Sequence, residues 1–436
     1  MWRIGPCAKR AFFGVLKVRS EVVVTGIGVV SPIGIGLEAF AEGLAAGRSA
    51  VRRLDLFQAD DLPIPLGAVV ECFDPKQFVR PRKSLKVMSR DIQLAFAAAD
   101  MACADARLRD SGVDPDRLGI VFGADLIPCE LEELVATYRS CMVDGRFDFS
   151  RWGEAAMTEM FPLWMLKYLP NMPACHVGIA HDARGPNNSL TLAEVSSLSA
   201  IAEAMRVIDR GQADVMIAGG AGSRVHPTIL FRSEACQLDS PHEDPATVCR
   251  PFDAKRRGMV NGEGAGVVVL ESRRHAEARG AKIYCRILGY AATFEPRANG
   301  APMTGKGIGK AIAGALREAG LSAEEVGHVN AHGLSTLHDD RIEAQAIRQV
   351  LGDVPVTAPK SFFGNLGAGT GAVEIIASIL AIQTGTLAVT VNYEFPDPQC
   401  PVNVVHGRPI QLNNRIALKL NHAPLGQSVA MLLGPP

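Results

Sequence analysis

The sequence predicts a layered α/β fold made of two similar halves, and three observations support this. From about residue 21 onward, strands rich in valine and isoleucine alternate with helices, which is the pattern of stacked sheets and helices. The order of elements begins again near residue 281, although no fixed-period repeat is visible. A chain of 436 residues also exceeds the usual size of one domain.

The first half, residues 21–275, is predicted to contain several strands and an alanine-rich helix within 80–107. The predicted strands lie in EVVVTGIGVVSPIG, RLGIVFGAD, ADVMIAGGAGS and EGAGVVVLE. The last two are apolar without polar alternation, as in strands covered on both faces. Residues from about 127 to 172 hold most aromatic and methionine residues of this half, and we expect an irregular cap or partner-facing region there.

The second half, residues 276–436, is predicted to repeat strand and helix in a similar order. A strand near residue 281 is followed by a helix that ends at Gly320, and then by the strand VGHVNAHG. A helix near 339–351 and the segment PVTAPKSFFGN precede a second long helix. A charged and polar stretch, ESRRHAEARGA, forms the seam between the halves.

The composition is that of a globular protein with no overall affinity for a polyanion. A net charge of −1 and a pI of about 6.8 give no global attraction to nucleic acid or anionic membranes. The ten cysteines lack CxxC pairs and metal-ligand spacing, which predicts reduced thiols in the cytoplasm and no metal or other cofactor. No transmembrane segment is expected, because the most apolar helical stretch carries Glu374 and Gln383. The basic residues 1–20 are expected to be an unordered extension, with a targeting or membrane-contacting role as the alternative.

The stretch SLTLAEVSSLSAIAEAM, residues 189–205, is predicted to be a short strand that runs into an amphipathic helix. Apolar side chains from Val195 to Ile208 share one helical face, which places Glu194 at or just before the helix N-terminus. Free backbone N–H groups and the positive end of the helix dipole favour an anion there. Such a residue is usually an ordinary first-turn acid, so Glu194 by itself identifies no site.

Two further junctions place polar residues after predicted strands. His332 follows the strand in VNAHGLST, with Glu343 in the next helix, while Lys360 and Asn365 precede the glycine-dense segment GNLGAGTG. A lone histidine is more often a packed or surface residue than a catalyst, and the glycines do not form a GxxxxGK[ST] phosphate loop. These residues are informative only as a set.

The ordered set of motifs resembles the β-ketoacyl-acyl carrier protein synthases of the elongating type, which are condensing enzymes of the thiolase fold. The segments that carry the resemblance are VVVTGIGVVSPIG, LPNMPACHVGIAHDARGPN, ADVMIAGGAGS, CRPFDAKRRGMVNGEGAGVVVLE, VNAHGLST with IEAQAI, and PKSFFGNLGAGTGAVE. The resemblance runs from about residue 21 to 434 and implies two α/β halves in a layered α-β-α-β-α sandwich.

The resemblance implies a site in which the usual nucleophile is missing. Active members carry a cysteine where this chain has Glu194, and its thiolate accepts the acyl chain from the carrier protein. Cys175 is the nearest cysteine along the chain, but the family usually has glycine there, so Cys175 is not expected to act as a substitute. His332 matches the histidine that stabilises the enolate formed when a malonyl group loses carbon dioxide. Lys360 and Glu343 match its supporting lysine and glutamate.

Further departures from the family cluster around the expected pocket. Asn365 stands where elongating members have their second histidine, although asparagine can still donate a hydrogen bond to an oxyanion. Ala423 and Leu425 stand where the gating loop has two phenylalanines, and Phe231 is expected to contact substrate with them. The scaffold motifs are kept while the pocket differs, which indicates a retained fold with changed chemistry.

Glutamate in place of cysteine changes what the site can do. An acyl-carboxylate is a mixed anhydride, far more labile than a thioester, so Glu194 is not expected to hold an acyl chain. Its carboxylate can instead occupy the oxyanion hole and satisfy backbone N–H donors at the helix N-terminus. An ionised Glu194 also repels a malonyl carboxylate by roughly 4 kcal/mol at about 4 Å and an effective dielectric constant of about 20.

A cluster of basic residues suggests where an acyl carrier protein docks. Arg80, Arg82, Lys83 and Lys86, followed by Arg90, resemble the basic stretch that ketosynthases present to acidic carrier proteins. The alternative interpretation is an ordinary solvated helix face. The thiolase fold is ordinarily dimeric, so the partner is either a second copy or a related ketosynthase subunit.

Three functional hypotheses follow from these residues. The preferred one is a chain-length-factor-like protein that pairs with an active β-ketoacyl synthase in fatty-acid or polyketide biosynthesis and shapes the acyl cavity. The second is a malonyl-carrier-protein decarboxylase or divergent acyltransferase that uses His332 and Asn365, with a protonated Glu194 as general acid. The third is a non-catalytic protein that shelters an acyl chain.

Overall fold

The computed structural model describes residues 20–54, 66–230, 244–297 and 300–436. The strands in these ranges are β1 Val22–Ser31, β2 Gly34–Ile35, β3 Arg52–Arg53, β4 Leu66–Gly67, β5 Leu118–Gly123, β6 Met142–Val143, β7 Arg146–Phe147, β8 Asn187–Leu190, β9 Val215–Ser223, β10 Glu263–Ser272, β11 Cys285–Phe294, β12 His328–Asn330, β13 Pro355–Thr357, β14 Thr386–Leu387, β15 Asn403–Val404, β16 Ile410–Gln411, β17 Ala417–His422 and β18 Gln427–Gly434. The α-helices are α1 Leu37–Ala46, α2 Arg90–Asp105, α3 Val135–Ser140, α4 Trp152–Glu159, α5 Met172–Ala180, α6 Ser196–Asp209, α7 Pro227–Leu230, α8 Arg273–Ala278, α9 Lys306–Ala319, α10 Leu337–Leu351, α11 Lys360–Phe363 and α12 Thr370–Thr384.

The main sheet contains both parallel and antiparallel strand pairs, and its two halves have the same pattern of pairing. Its strands follow the order β15-β13-β12-β17-β18-β11-β1-β10-β9-β5-β8, with β2 paired to β1. A short antiparallel contact between β1 and β11 joins the two ends. In one half β5 runs parallel to both its neighbours, and in the other half β12 does the same. Each half therefore carries antiparallel strands near the centre and parallel strands toward its edge.

Helices cover both faces of each half of the sheet. α6 packs on β9 and β5, α12 packs on β10 and β17, and the two helices contact each other. α2 packs on β1 and β10, while α9 packs on β11 and β18. The layers thus follow the order α-β-α-β-α, and the predicted thiolase-type sandwich is confirmed.

The alternation of side chains along β9 explains the apolar runs in the sequence. Met216 and Ala218 belong to the central core with α6 and α12, whereas Val215 and Ile217 belong to the core beneath α2. A strand covered on both faces has no polar side. The sheet also approaches α2 closely, because a Cβ on Gly28 would lie 1.9 Å from the carbonyl oxygen of Ala98.

Between β5 and β8 the chain forms an irregular cap of short helices and the hairpin β6–β7. Several large apolar side chains of this cap face solvent, including Phe149 at 75% and Met157 at 88% exposure. Tyr138, Phe147 and Trp152 pack against one another within it. The cap therefore presents an apolar surface to solvent.

One helical stretch of the described residues, Gly367–Thr384, has the length and apolar composition of a membrane span. It contains α12, and 78% of it is buried inside the protein. This burial is that of a core helix, as expected from its position between the two halves of the sheet. Apart from Ser20, the predicted N-terminal extension lies outside the described residues.

Candidate active site

Glu194 lies inside the protein at the start of α6. It sits in a short 3-10 turn, Ala193–Val195, that connects β8 to the helix. Ala193 has a φ of 50°, a left-handed conformation that non-glycine residues seldom adopt, so the chain turns sharply before Glu194. The glutamate itself is 3% exposed. The helical periodicity therefore predicted its place correctly.

Two side chains from distant segments contact the Glu194 carboxylate. Asn365 donates its Nδ2–H group to Oε1 across 3.1 Å, and the Arg224 Nη1 atom lies 3.5 Å from the same oxygen. Within the described chain, Oε2 has no hydrogen-bond partner. The predicted occupation of a backbone oxyanion hole is not observed, because a guanidinium and a side-chain amide face the carboxylate instead.

The hydrogen bonds of Asn365 determine which way its amide points. Its Oδ1 atom accepts from the backbone N–H of Gly367 at 3.0 Å and from the hydroxyl of Thr370 at 3.2 Å. The Nδ2 group is thereby turned toward Glu194 as a donor. Asn365 is 1% exposed, so this amide is ordered by its surroundings.

Arg224 was missed by the sequence analysis. It directly follows β9, and its Nε–H group donates to the Asn261 Oδ1 atom at 3.3 Å. Its side chain is only 12% exposed. The available signal was a positive charge immediately after the apolar run ADVMIAGGAGS, but an arginine at the end of a strand is too common to identify a partner for Glu194.

His332 is held as a neutral hydrogen-bond donor. Its Nδ1 atom lies 3.0 Å from both the Lys360 Nζ atom and the Asn421 Nδ2 atom, which are donors. Nδ1 therefore accepts, and the proton of the neutral ring is on Nε2. Burial first, and then the charge of Lys360, holds the pKa of His332 well below its usual value. Such a ring stabilises an oxyanion rather than removing a proton.

The carboxylate that supports Lys360 is Glu374, which the sequence analysis did not select. Lys360 Nζ donates to Glu374 Oε1 at 2.8 Å, and Lys419 Nζ lies 2.8 Å from Oε2. All three side chains are buried. Glu374 is therefore a further supporting glutamate beside the predicted Glu343. A signal was present, since Glu374 is the one charged residue of the apolar helix α12.

Glu343 instead holds the backbone at His332. Its two carboxylate oxygens accept from the backbone N–H groups of His332 at 2.6 Å and Gly333 at 2.8 Å. His422 lies beside both, with Nε2 3.9 Å from Glu343 Oε2 and its ring centroid 4.4 Å from that of His332. Burial opposes charge on His422, but the Glu343 carboxylate raises its pKa above the usual value. The sequence analysis missed this second imidazole.

Glu194 and Arg224 border a cavity of about 570 Å³. His332 does not line this cavity, and it is 1% exposed. Asn365 lies next to Glu194 and is likewise outside the lining. In this conformation the Glu194–Arg224 pair thus forms part of the cavity wall, whereas the histidine lies outside the lining.

The predicted gating positions differ from one another in exposure. Leu425 is 67% exposed and lines the cavity together with Pro424, whereas Ala423 is 1% exposed. Both positions follow β17 in the turn toward β18. Pro424 and Leu425 are thus the residues of this loop that line the cavity, whereas Ala423 is packed in the core. Phe231 lies outside the described residues.

Four of the five basic residues proposed for docking are exposed. They are Arg80, Arg82, Lys83 and Lys86, on or beside the 3-10 helix Arg82–Val87. Arg90 is different, because its Nη2 group lies 2.7 Å from Glu263 Oε1 and its guanidinium covers the Phe73 ring at 4.9 Å. The positive charge of Arg90 is thus paired with Glu263 inside the protein.

The cysteines near these elements have other contacts. Cys175 is half-buried on α5, and its sulfur accepts from the Asn171 amide at 3.6 Å. The Cys249 thiol donates to the carbonyl oxygen of Lys360 at 3.1 Å. In the described ranges no group of three or more histidine, cysteine or acidic residues has the arrangement of a metal site.

Comparison with known families gives this geometry its context. Residues 19–276 match the β-ketoacyl synthase N-terminal domain, and residues 284–394 match the β-ketoacyl synthase C-terminal domain. The chain belongs to the β-ketoacyl synthase family. The predicted resemblance is confirmed, and Glu194 and Asn365 are therefore features of a β-ketoacyl synthase scaffold.

Individual relatives of this β-ketoacyl synthase homologue cover nearly all of it. It is 33% identical to the 3-oxoacyl-[acyl-carrier-protein] synthase 2 of Synechocystis sp. over 95% of this chain and 97% of the relative. Its structure is similar to the ishigamide ketosynthase/chain length factor, with a TM-score of 0.85 and 29% identity over 96% and 100% of the two chains. It is also similar to a type II PKS ketosynthase solved with its acyl-carrier protein and bound to the hexaketide (TM-score 0.79, 27% identity, 96% and 100% coverage).

Proposed function

We propose that this protein is a non-condensing β-ketoacyl synthase homologue of fatty-acid or polyketide biosynthesis, which pairs with an active ketosynthase subunit in the manner of a chain length factor. The observation that carries the proposal is the buried contact of Glu194 with Asn365 and Arg224 at the head of α6. The charge of a carboxylate in that environment is compensated. An acyl group attached to it would form a labile mixed anhydride, so Glu194 is not a stable carrier of an acyl chain.

The isolation of His332 supports a non-condensing role. Condensation requires an acyl group and an enolate to meet within reach of the oxyanion-stabilising donors. Here the Glu194–Arg224 pair borders the cavity, while His332 is 1% exposed and does not line it. The neutral imidazole is retained, but it is buried away from the cavity that Glu194 and Arg224 border.

Two features support pairing with a related subunit. Strand β8 is the last strand of the main sheet, and its residues Asn187 and Asn188 are exposed, so its outer edge is open to a further strand. The cap between β5 and β8 exposes Phe149 and Met157, which suit an apolar interface. The similarity to a ketosynthase/chain length factor structure agrees with this arrangement.

Co-expression with a cysteine-containing ketosynthase and a carrier protein tests the proposal. The expected result is a stable heterodimer in light scattering, together with elongation that requires both subunits. In a matched control, the partner's nucleophilic cysteine is replaced by alanine. This replacement should abolish elongation without dissociating the heterodimer. A solitary homodimer of this chain that elongates acyl chains by itself would contradict the proposal.

A malonyl-carrier-protein decarboxylase is the second candidate, and one observation favours it. His332 is a neutral Nε2–H donor supported by Lys360 and Glu374, which is the arrangement that stabilises an enolate. Incubation of the purified chain with malonyl-carrier protein, followed by mass spectrometry, decides between the two. Acetyl-carrier protein formed above a no-protein blank would select decarboxylation.

A further inference from the structure

A second buried lysine lies close to His332, and the function proposed above does not use it. Lys419 is 0% exposed and does not line the cavity. Its strand, β17, runs parallel to β12 and places Lys419 beside Asn330, two residues before His332. Burial of an ammonium group is costly unless acceptors surround it. The partners of this lysine are therefore informative about its role.

The Lys419 ammonium group holds the backbone that leads to His332. Its Nζ atom donates to the carbonyl oxygens of Asn330 and Ala331, at 3.2 Å each, and to that of Leu420 at 2.7 Å. Asn330 and Ala331 are the two residues that precede His332. Hydrogen bonds from a charged donor are stronger than those between neutral groups. Lys419 thereby fixes the backbone from which the His332 ring projects.

Lys419 also shares one carboxylate with Lys360. The Glu374 Oε2 atom lies 2.8 Å from Lys419 Nζ, while Oε1 accepts from Lys360 Nζ at 2.8 Å. Because both oxygens are engaged, the carboxylate is held in one orientation. Lys360 is held in turn, with Nζ 3.0 Å from His332 Nδ1. A continuous chain of contacts therefore runs from Lys419 through Glu374 and Lys360 to the imidazole.

The charges around the His332 ring favour its neutral form. The charged side chains near it come from α10, α11, α12 and β17, and they are Glu343, Lys360, Glu374, Lys419 and His422. Burial lowers the pKa of His332 most, followed by the charges of Lys360, His422 and Lys419. Burial also lowers the pKa of Lys419 to about 8, although the Glu374 carboxylate acts in the opposite direction. Lys419 thus remains mainly charged at pH 7.

We propose that Lys419 is a positioning residue for His332. By anchoring the second oxygen of Glu374, it keeps Lys360 directed at Nδ1 and the ring proton on Nε2. An Nε2–H group is the donor that an enolate oxygen requires. The catalytic meaning of this arrangement rests on the proposed malonyl decarboxylation, but the arrangement itself does not. The experiment therefore measures the imidazole directly, so that a chain without decarboxylase activity still decides the inference.

NMR of the ¹⁵N-histidine-labelled full chain, titrated from pH 8 to pH 5.5, tests the proposal. The unchanged protein should show His332, assigned from the spectrum of His332→Asn, as the Nε2–H tautomer at pH 7. In Lys419→Met the proton affinity of the ring should rise about tenfold, because one nearby positive charge is removed. Its two nitrogen signals should also move toward each other, since Lys360 no longer fixes a single tautomer.

Lys310→Met, at an exposed lysine of α9, is the matched control and should leave the His332 signals unchanged. A purely structural Lys419 would lower the unfolding temperature of Lys419→Met without altering these signals, and that result would overturn the proposal. A ring protonated on Nδ1 in the unchanged protein at pH 7 would also overturn it.

The unchanged protein provides a second measurement if Lys419→Met does not fold. Lys419 loses its charge between pH 7 and pH 9, so the His332 Nδ1 signal should shift with a midpoint of about 8. A His332 signal that stays constant over this range would contradict the inference.

Discussion

Asn365 donates its side-chain N–H group to Glu194 across 3.1 Å, although the two residues are 171 positions apart. Both stand where the resemblance to elongating ketosynthases implies catalytic residues, a histidine and a cysteine. The two departures from the family pattern therefore contact each other in the fold. Arg224, 3.5 Å from the same carboxylate, supplies the compensating charge. Together they form a small buried polar network at the head of α6.

Removal of Arg224 should destabilise the protein. Arg224→Ala leaves the Glu194 charge buried with only the Asn365 amide beside it, and we expect a loss of about 2 kcal/mol in the free energy of unfolding. Urea denaturation measures this loss. The double variant Arg224→Ala/Glu194→Gln should recover most of it, because the uncompensated charge is gone. Arg348→Ala, at an exposed ion pair, is the control and should unfold almost as the unchanged protein does. An Arg224→Ala variant as stable as this control would contradict the assigned pairing.

A cysteine at position 194 should accept an acyl group. In Glu194→Cys the thiol would lie at the cavity wall near Arg224, whose positive charge lowers the pKa of a thiol and favours the thiolate. We expect the mass of the acyl chain to appear on the variant after incubation with acyl-carrier protein. Glu194→Ala is the matched control and should gain no mass. If the cysteine variant also remains unmodified, position 194 does not face the acyl group.

Stability should depend on pH through Glu343 and His422. The pKa of His422 is raised in the folded protein, so its contribution is complete below the usual histidine pKa and is lost as pH rises through the raised value. Burial opposes ionisation of Glu343, but the charge of His422 and two backbone N–H groups lower its pKa, so its contribution is lost only as pH falls through that lowered value.

The variant His422→Asn tests this pair. The loss in unfolding free energy relative to the unchanged protein should be larger at pH 5.5 than at pH 9, because His422 carries its charge only at the lower pH. Urea denaturation at the two pH values provides the comparison. His406→Asn, at an exposed histidine, should show no such difference. An equal loss at both pH values would mean that His422 acts through packing and not through charge.

Charge reversal in the basic cluster should weaken carrier-protein binding. Arg82 and Lys83 are exposed, and the variant Arg82→Glu/Lys83→Glu should lose about tenfold in affinity for an acidic acyl carrier protein at low salt, with a smaller difference at high salt. Surface plasmon resonance at two ionic strengths measures both effects. Lys310→Glu, at an exposed lysine of α9, should bind normally. Unchanged binding by the double variant would leave the cluster as an ordinary solvated surface.

The fold could be predicted from the sequence because buried elements have a regular pattern of apolar residues. The apolar runs of β9 and β10 are continuous because both faces of these strands are covered, and this pattern can be recognised in the sequence alone. Glu374 was not selected, because two glutamates offered the same local signal. Glu343 and Glu374 are both buried glutamates on helices, and only their positions around Lys360 show that Glu374 makes the ion pair.

The sequence by itself determined that a carboxylate occupies the head of α6, because helical periodicity and the order of motifs place Glu194 there. What that carboxylate meets was decided by tertiary structure alone. Arg224 follows β9 and Asn365 follows α11, and their side chains meet Glu194 only when the two halves of the sheet enclose α6 and α12. Periodicity records which face of an element is buried, whereas hydrogen bonds and ion pairs depend on the distances between elements that are remote along the chain.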